Sequence, residues 1–281
     1  MTPEEIKTIL ETSGYLFEQR VASLIEGLGF HTSTNKAFLD PDEGKSREID
    51  VVANREIFRL VQGGNPDAFG VCYLNCECKN STTPFVFITR RKGFMDKLYT
   101  PNGIILPYKE YYKNKDQFAV TALNAFYYLE LEKYHYVTKS DVHAVQLCKI
   151  IQNGKKVEAQ HSGVIEGFIY PLIKSQKIWE TQTPKTTTEK IYCKLFFNIA
   201  VVNSKLYTID ADDENSLPIE AEYVPFVRDI HTKDHQGRFI ITFVTYSALG
   251  KFIETEVGDF CKKVEETFMK RPELLYNRHV L

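Results

Sequence analysis

The run Val71-Cys72-Tyr73-Leu74-Asn75-Cys76-Glu77-Cys78-Lys79 constrains this chain more than any other segment. It alternates as a strand does, so its side chains divide between two faces. Cys72, Leu74, Cys76 and Cys78 share one face; Tyr73, Asn75, Glu77 and Lys79 share the other. The first face is wholly apolar and needs a packed layer beneath it. The second ends in a glutamate and a lysine two residues apart, close together and partly buried. Unpartnered charges are expensive to bury, so the pair is either a structural ion pair or half of a site.

The rest of the chain supplies the layers. Its 281 residues are enough for a sizeable core, and 43% hydrophobic with 26% charged residues excludes wholesale disorder and fibrous architectures. Pro3-Glu4-Glu5 is a favourable first helical turn. Ser13 is a candidate cap for a second helix running to about Leu28, stopped by Gly29. Further strands are expected at His31–Thr34, Glu48–Ala53, Pro84–Thr89, Asp141–Ile151, Tyr223–Ile230 and Arg238–Tyr246. Lys190–Asp210 reads as a hairpin turning at Asn203-Ser204. Helices are expected at Gln117–Lys133, at Val164–Trp179 with a kink at Pro171, and at Ala248–Lys270. Strands interleaved with helices predict an α/β fold, a mixed central β-sheet flanked by helices. One domain over 1–281 is preferred, with a core at about 13–135 and a C-terminal α/β extension at about 140–281.

Three of the six cysteines crowd one strand, which is no disulfide framework and suits a reducing, cytoplasmic setting. One strand face does not bring three thiolates around one ion, so Cys72, Cys76 and Cys78 read as core rather than zinc ligands. No membrane or export signal is apparent, so no membrane partner is expected. His231 and His235, with Asp229 and Asp234, have a helical metal spacing but fall in a polar connector. The acids Asp210, Asp212, Asp213 and Glu214 read as a solvated turn.

Two more acids complete the picture. Asp50 lies in Glu48-Ile49-Asp50-Val51-Val52, where Ile49, Val51 and Ala53 are expected on one face. If that strand pairs with the Glu77 strand, the two carboxylates come close enough to share a hard cation, Mg²⁺ or Mn²⁺. In the second helix Phe17, Val21, Leu24, Ile25 and Leu28 form an apolar stripe. Glu18 falls about 20° beyond Ile25, at the edge of that stripe and leaning toward the sheet.

Glu18 in an N-terminal helix, then Arg47-Glu48-Ile49-Asp50-Val51-Val52, then Glu77-Cys78-Lys79, resembles the PD-(D/E)xK nuclease superfamily, in its restriction-endonuclease-like branch. Gly14-Tyr15-Leu16-Phe17-Glu18-Gln19-Arg20-Val21, continuing to Leu28-Gly29-Phe30, is also similar to that branch. The resemblance covers roughly residues 13–90, and no proline precedes Asp50. It implies a restriction-endonuclease-like core and an Mg-dependent endonuclease that hydrolyses DNA, with Mn²⁺ as a substitute ion. Asp50 and Glu77 would bind the metal, the Cys78 carbonyl would assist, and Glu18 would add a direct or water-mediated ligand. Lys79 would position or help deprotonate the attacking water and stabilise developing charge. A homodimer and a role in restriction or anti-phage defence follow by analogy. No small-molecule cofactor is expected.

The net charge of −2 excludes binding nucleic acid by bulk charge alone. Between Arg90 and Lys115, however, seven basic residues stand against Asp96 and Glu110. Phe94, Tyr99, Tyr108, Tyr111 and Tyr112 are interleaved. Arg90, Arg91, Lys92 and Lys97 are candidate DNA contacts, with Asn80 nearer the scissile phosphate and Gln117 as a weaker candidate. A solvated loop with its own aromatic mini-core explains the same tract. Two further readings stay open: an inactive nucleic-acid-binding or assembly protein that retains the fold, and a structural protein in which Glu77–Lys79 is only an ion pair.

Overall fold

The N-terminal residues form two helices rather than one because Gly14 takes a left-handed φ of 93°. The computed structural model describes every residue except 41, 42, 62, 65, 117, 118, 162, 232–235 and 281. Helix α1 (Pro3–Ser13) starts in a capping box: the Thr2 hydroxyl accepts the Glu5 N–H, and the Glu5 carboxylate accepts the Thr2 N–H. Gly14 ends α1 and begins α2 (Tyr15–Gly27), where Ser13 was expected to cap. The Ser13 hydroxyl instead donates back to the Leu10 carbonyl. Helix α2 buries Phe17, Val21, Ala22 and Ile25, and Gly29 stops it with φ 81°.

Four strands follow: β1 (His31–Leu39), β2 (Ser46–Leu60), β3 (Asp67–Lys79) and β4 (Phe85–Arg91). The tract expected to be a loop holds a short helix α3 (Phe94–Lys97) and strands β5 (Ile104–Ile105) and β6 (Glu110–Asp116). The helix expected from Gln117 to Lys133 is mostly something else. Its described residues form β7 (Ala119–Asn124), α4 (Ala125–Tyr128) and a 3-10 turn at Leu131–Lys133. Asn124 makes the switch, its side chain capping α4 at the Phe126 N–H.

The second half contributes β8 (Val142–Asn153), β9 (Lys156–Gln160) and α5 (Tyr170–Gln182), with Pro171 in the first turn of α5 after a π-turn at Ile165–Ile169. Strands β10 (Lys190–Val202), β11 (Leu206–Asp210), β12 (Ile219–Ala221), β13 (Tyr223–His231) and β14 (Gln236–Thr245) come next. The chain closes with α6 (Tyr246–Phe252), a second π-turn, α7 (Gly258–Lys270), α8 (Glu273–Tyr276) and β15 (His279–Val280). Among the described residues, no helix is long and apolar enough to cross a membrane.

The main sheet runs β1-β2-β3-β10-β14-β13-β8-β4-β11-β12, with β5 on β10 and β9 on β8; β15, β6 and β7 form a small second sheet. It is mixed: β1, β2 and β3 are antiparallel, whereas β3, β10 and β14 are parallel. The expected β10–β11 hairpin does not form, since β11 pairs parallel with β4 and antiparallel with β12. The extension expected over 140–281 is woven into this sheet, with β10 at its centre beside β3.

Strand β10 explains why the sheet needs cover on both sides, because every residue from Cys193 to Val202 is buried. Leu195, Phe197, Ile199 and Val201 join α2, α6 and α7 in one core, with Val51, Ala53, Cys72, Leu74, Cys76 and Cys78. Ala200 and Val202 face a second core with Phe85, Phe87, Phe168, Phe226 and Phe243, into which β4, β8 and β13 curl. Ile49 departs from the face expected for it and is buried with Phe38 in this second core.

His135 lies in the first core, stacked on Tyr136 at 4.7 Å and edge-on to Phe260 at 4.8 Å, its Nδ1 accepting the Val137 N–H. Burial lowers its pKa to about 3, with the Lys92 and Lys139 charges acting in the same direction. The folded protein therefore holds a neutral imidazole that the unfolded chain protonates below about pH 6.5. The contribution of His135 is intact above that pH and is lost as the pH falls toward 3. His135→Gln should flatten the acid side of the stability profile by up to about 1.4 kcal/mol per pH unit, measured by urea unfolding from pH 7 to 4.

Candidate active site

Asp50, Glu77 and Lys79 meet at the carboxyl end of β3, where Glu77 lies opposite Ala200 and Lys79 opposite Val202 of β10. The β2–β3 pairing ends at Val51–Cys76. Beyond it, Asp50 Oδ2 accepts the Cys78 N–H at 2.6 Å, a side chain replacing a ladder bond. On the other edge of β2, Asn35 has φ 50° and falls between the Thr34–Val51 and Lys36–Ile49 pairs without a partner of its own. Asparagine tolerates this left-handed backbone better than larger residues. Both ladders are thus interrupted at Asp50, which leaves its carboxylate to face Glu77.

The Lys79 ammonium joins the two acids, 2.5 Å from Glu77 Oε1 and 3.9 Å from Asp50 Oδ2. Glu77 is 5% exposed, and its second oxygen, Oε2, is buried with no hydrogen-bond partner. Burial pushes the Glu77 carboxyl up to about 7, and the Asp50 charge adds to the rise. Burial also raises Asp50 against the opposing pull of Lys79 and the Cys78 N–H. For Lys79, burial favours loss of the proton, but Glu77 and Asp50 outweigh it and hold the pKa above the ordinary lysine value.

Glu18 reaches the same field from α2. Burial and the Asp50 charge raise its pKa, while a hydrogen bond with Asn35 and the Lys79 charge oppose the rise. The helix edge thus does lean Glu18 toward the sheet. The Cys78 thiol is buried in the first core and its pKa is driven well up by burial, so the sulfur is no ligand at this face. Its carbonyl leaves the backbone on the same side as the N–H that Asp50 accepts.

The donors available to a cation are therefore carboxylate and carbonyl oxygens, which suit hard Mg²⁺ or Mn²⁺. The orphaned Glu77 Oε2 fits such an ion, because a buried anionic oxygen without a donor is costly. Among the described residues, no three His, Cys, Asp or Glu side chains form a ready metal cage. Asp50 and Glu77 share the Lys79 ammonium instead.

The expected DNA contacts divide. Asn80 is beside the cluster, but its amide is engaged: Nδ2 donates to the Glu11 carbonyl and Oδ1 accepts from Asn203 Nδ2 at 2.9 Å. Arg90 and Arg91 are exposed at the far end of β4, about 20 Å along the strand from Phe85. The Lys92 ammonium donates to the Val137 and Ser140 carbonyls, which makes it a structural tie. Lys97 pairs with Asp141 at 3.0 Å on the surface. Of the interleaved aromatics, Phe94 is exposed, whereas Tyr111 is fully buried with its hydroxyl donating to the Leu274 carbonyl. Gln117, Asp234 and His235 lie outside the described residues.

Three residues near the cluster were missed in the sequence: Asn35, Lys149 and Phe168. Asn35 carried the weak signal of a turn-prone residue just past the expected strand His31–Thr34, which the structure extends to Leu39. Lys149 and Phe168 carried none, because only the curl of β8 and the π-turn toward β3 brings them there. Comparison with protein-family models, with curated proteins and with solved structures finds no match for this chain.

The bonds of Asn80 make it a brace between α1 and the β10–β11 turn. Asn80→Ala should lower stability by about 1–2 kcal/mol and speed amide exchange in α1, read by urea unfolding and by hydrogen exchange.

Proposed function

We propose that this chain is a metal-dependent nuclease that hydrolyses DNA phosphodiester bonds, with the restriction-endonuclease-like core that residues 13–90 resemble. The observation that supports it most is the convergence of Asp50, Glu77 and Lys79, with Glu18 in their field and Glu77 Oε2 lacking a donor. Asp50, Glu77, the Cys78 carbonyl and Glu18 would hold Mg²⁺ or Mn²⁺. Such an ion, when bound, polarises the phosphate and makes a bound water nucleophilic near neutral pH.

The chain's own groups do the rest. Lys79, kept protonated by Glu77 and Asp50, acts at neutral pH as a hydrogen-bond donor and a fixed positive charge rather than as a base. It orients the attacking water and stabilises charge that develops on the phosphate. Asp50, anchored on the Cys78 N–H, fixes the distance between strands and so the spacing of the two acids. Cutting both strands of a duplex takes two such sites, hence a homodimer. Six free thiols suit a reducing cytoplasm, and a defence setting follows by analogy with the branch.

A second reading, a binding or assembly protein in which Glu77–Lys79 is only an ion pair, draws on the short 2.5 Å contact and on the lack of a three-ligand cage among the described residues. Incubation of the purified protein with plasmid DNA and Mg²⁺ or Mn²⁺ separates the two. The nuclease reading expects nicked or linear product, reduced at least ~100-fold in Asp50→Ala and Lys79→Ala. It also expects Mg²⁺ to raise the unfolding temperature of the wild type but not of Asp50→Ala. Intact single- and double-stranded DNA with either ion, together with an unfolding temperature indifferent to both ions, favours the second reading.

A further inference from the structure

Lys149 and Lys79 both lie over the Phe168 ring, their ammoniums 6.0 Å and 5.8 Å from its centre. Lys149 also lies 5.5 Å from the ring centre of Phe85, its partner across the β4–β8 ladder, and Phe85 packs edge-on against Phe168. The aromatic pair therefore holds a second cation beside the carboxylate cluster. Lys79 has its counter-charges in Glu77 and Asp50. Lys149 has none: among the described residues no carboxylate and no carbonyl takes its ammonium, and ring faces alone receive it. A half-buried lysine near another lysine, with no acid of its own, is a cost to the fold, since cation–π contact returns only about 0.5–2 kcal/mol. Burial and the Lys79 charge both pull its pKa down. An anion bound at Lys149 removes that cost.

We infer that Lys149 is a second phosphate-binding cation of this site, contributed by β8 to grip the backbone of the DNA strand that lies against Glu77 and Lys79. The inference rests on the nuclease reading and extends it, giving the second half of the chain a direct part in substrate binding. Lys149 needs no base edge and no sequence preference; it meets phosphate as a point charge.

The test is fluorescence anisotropy with a labelled DNA duplex in EDTA, over a series of salt concentrations, so that binding is read without turnover. Lys149→Gln should weaken binding about tenfold and reduce the slope of log K against log salt by about one, whereas Lys149→Arg should retain both. The exposed Lys155→Gln should leave both unchanged. Without DNA, Lys149→Gln should unfold at the same or a higher temperature than wild type, because a positive charge that feels the Lys79 charge is gone. Unchanged affinity and slope in Lys149→Gln, with wild-type binding intact, overturn the inference while leaving the nuclease reading in place. Weaker binding with a lower unfolding temperature in both Lys149→Gln and Lys149→Met marks a purely structural lysine and also overturns it. A wild-type protein that neither binds nor cleaves DNA is a separate failure, which removes the nuclease reading and this inference with it.

Discussion

The structure hangs on the parallel ladder between β3 and β10, an unbroken register from Lys190–Asp67 to Val202–Lys79. Parallel strands are stable only with both faces covered, and this pair accordingly has α2, α6 and α7 over one face and α5 with the aromatic core of the curled sheet over the other. The ladder also carries polar groups through the interior. Asn75 Nδ2 donates to Asn198 Oδ1, and Asn198 Nδ2 donates to Gln176 Oε1 of α5 at 2.6 Å. These bonds favour one register, since a one-residue slip would strand buried amides among apolar side chains. Because Lys79 and Val202 end the ladder together, the same register that builds the core also fixes where the acid–lysine cluster stands.

The cluster itself works against the fold. A buried acid faces a half-buried one, a third comes near, and one carboxylate oxygen has no donor. Burying the Glu77 carboxyl with one oxygen unpaired costs the fold free energy. Such local cost amid otherwise consistent packing is the usual mark of a site kept for what it does.

Much of this was legible in the sequence, and the reasons differ by element. The strict alternation from Val71 to Lys79 gave the strand, its faces and the exit of Glu77 and Lys79 together. The helical stripe of α2 placed Glu18. Local pattern misled where tertiary context decided. Ala119–Asn124 has the composition of a helix start but pairs with β6, and Asn203-Ser204 resembles a hairpin turn although it sends β11 to a distant strand. The basic tract showed its charge but not its geometry, because Lys92 is consumed by carbonyls and Arg90 and Arg91 ride to the remote end of β4. Lys149 was invisible for the converse reason: nothing nearby in the chain distinguishes it, and only the curl of β8 brings it to Phe168.

The long reach of the central ladder governs when the cluster takes shape as the chain is made. Asn75 and Asn198 are 123 residues apart, so the strand bearing Glu77 and Lys79 emerges from the ribosome well before its inner neighbour exists. At ordinary synthesis rates that interval lasts roughly 6–25 s. During it, β3 lacks its inner neighbour β10, and the aromatic cover that Phe168 gives the cluster is still to be made. Burial, and with it every raised carboxyl pKa, arrives as a late event of folding. A nascent chain or a fragment ending before β10 carries all the acids of the cluster and none of its enclosed electrostatics.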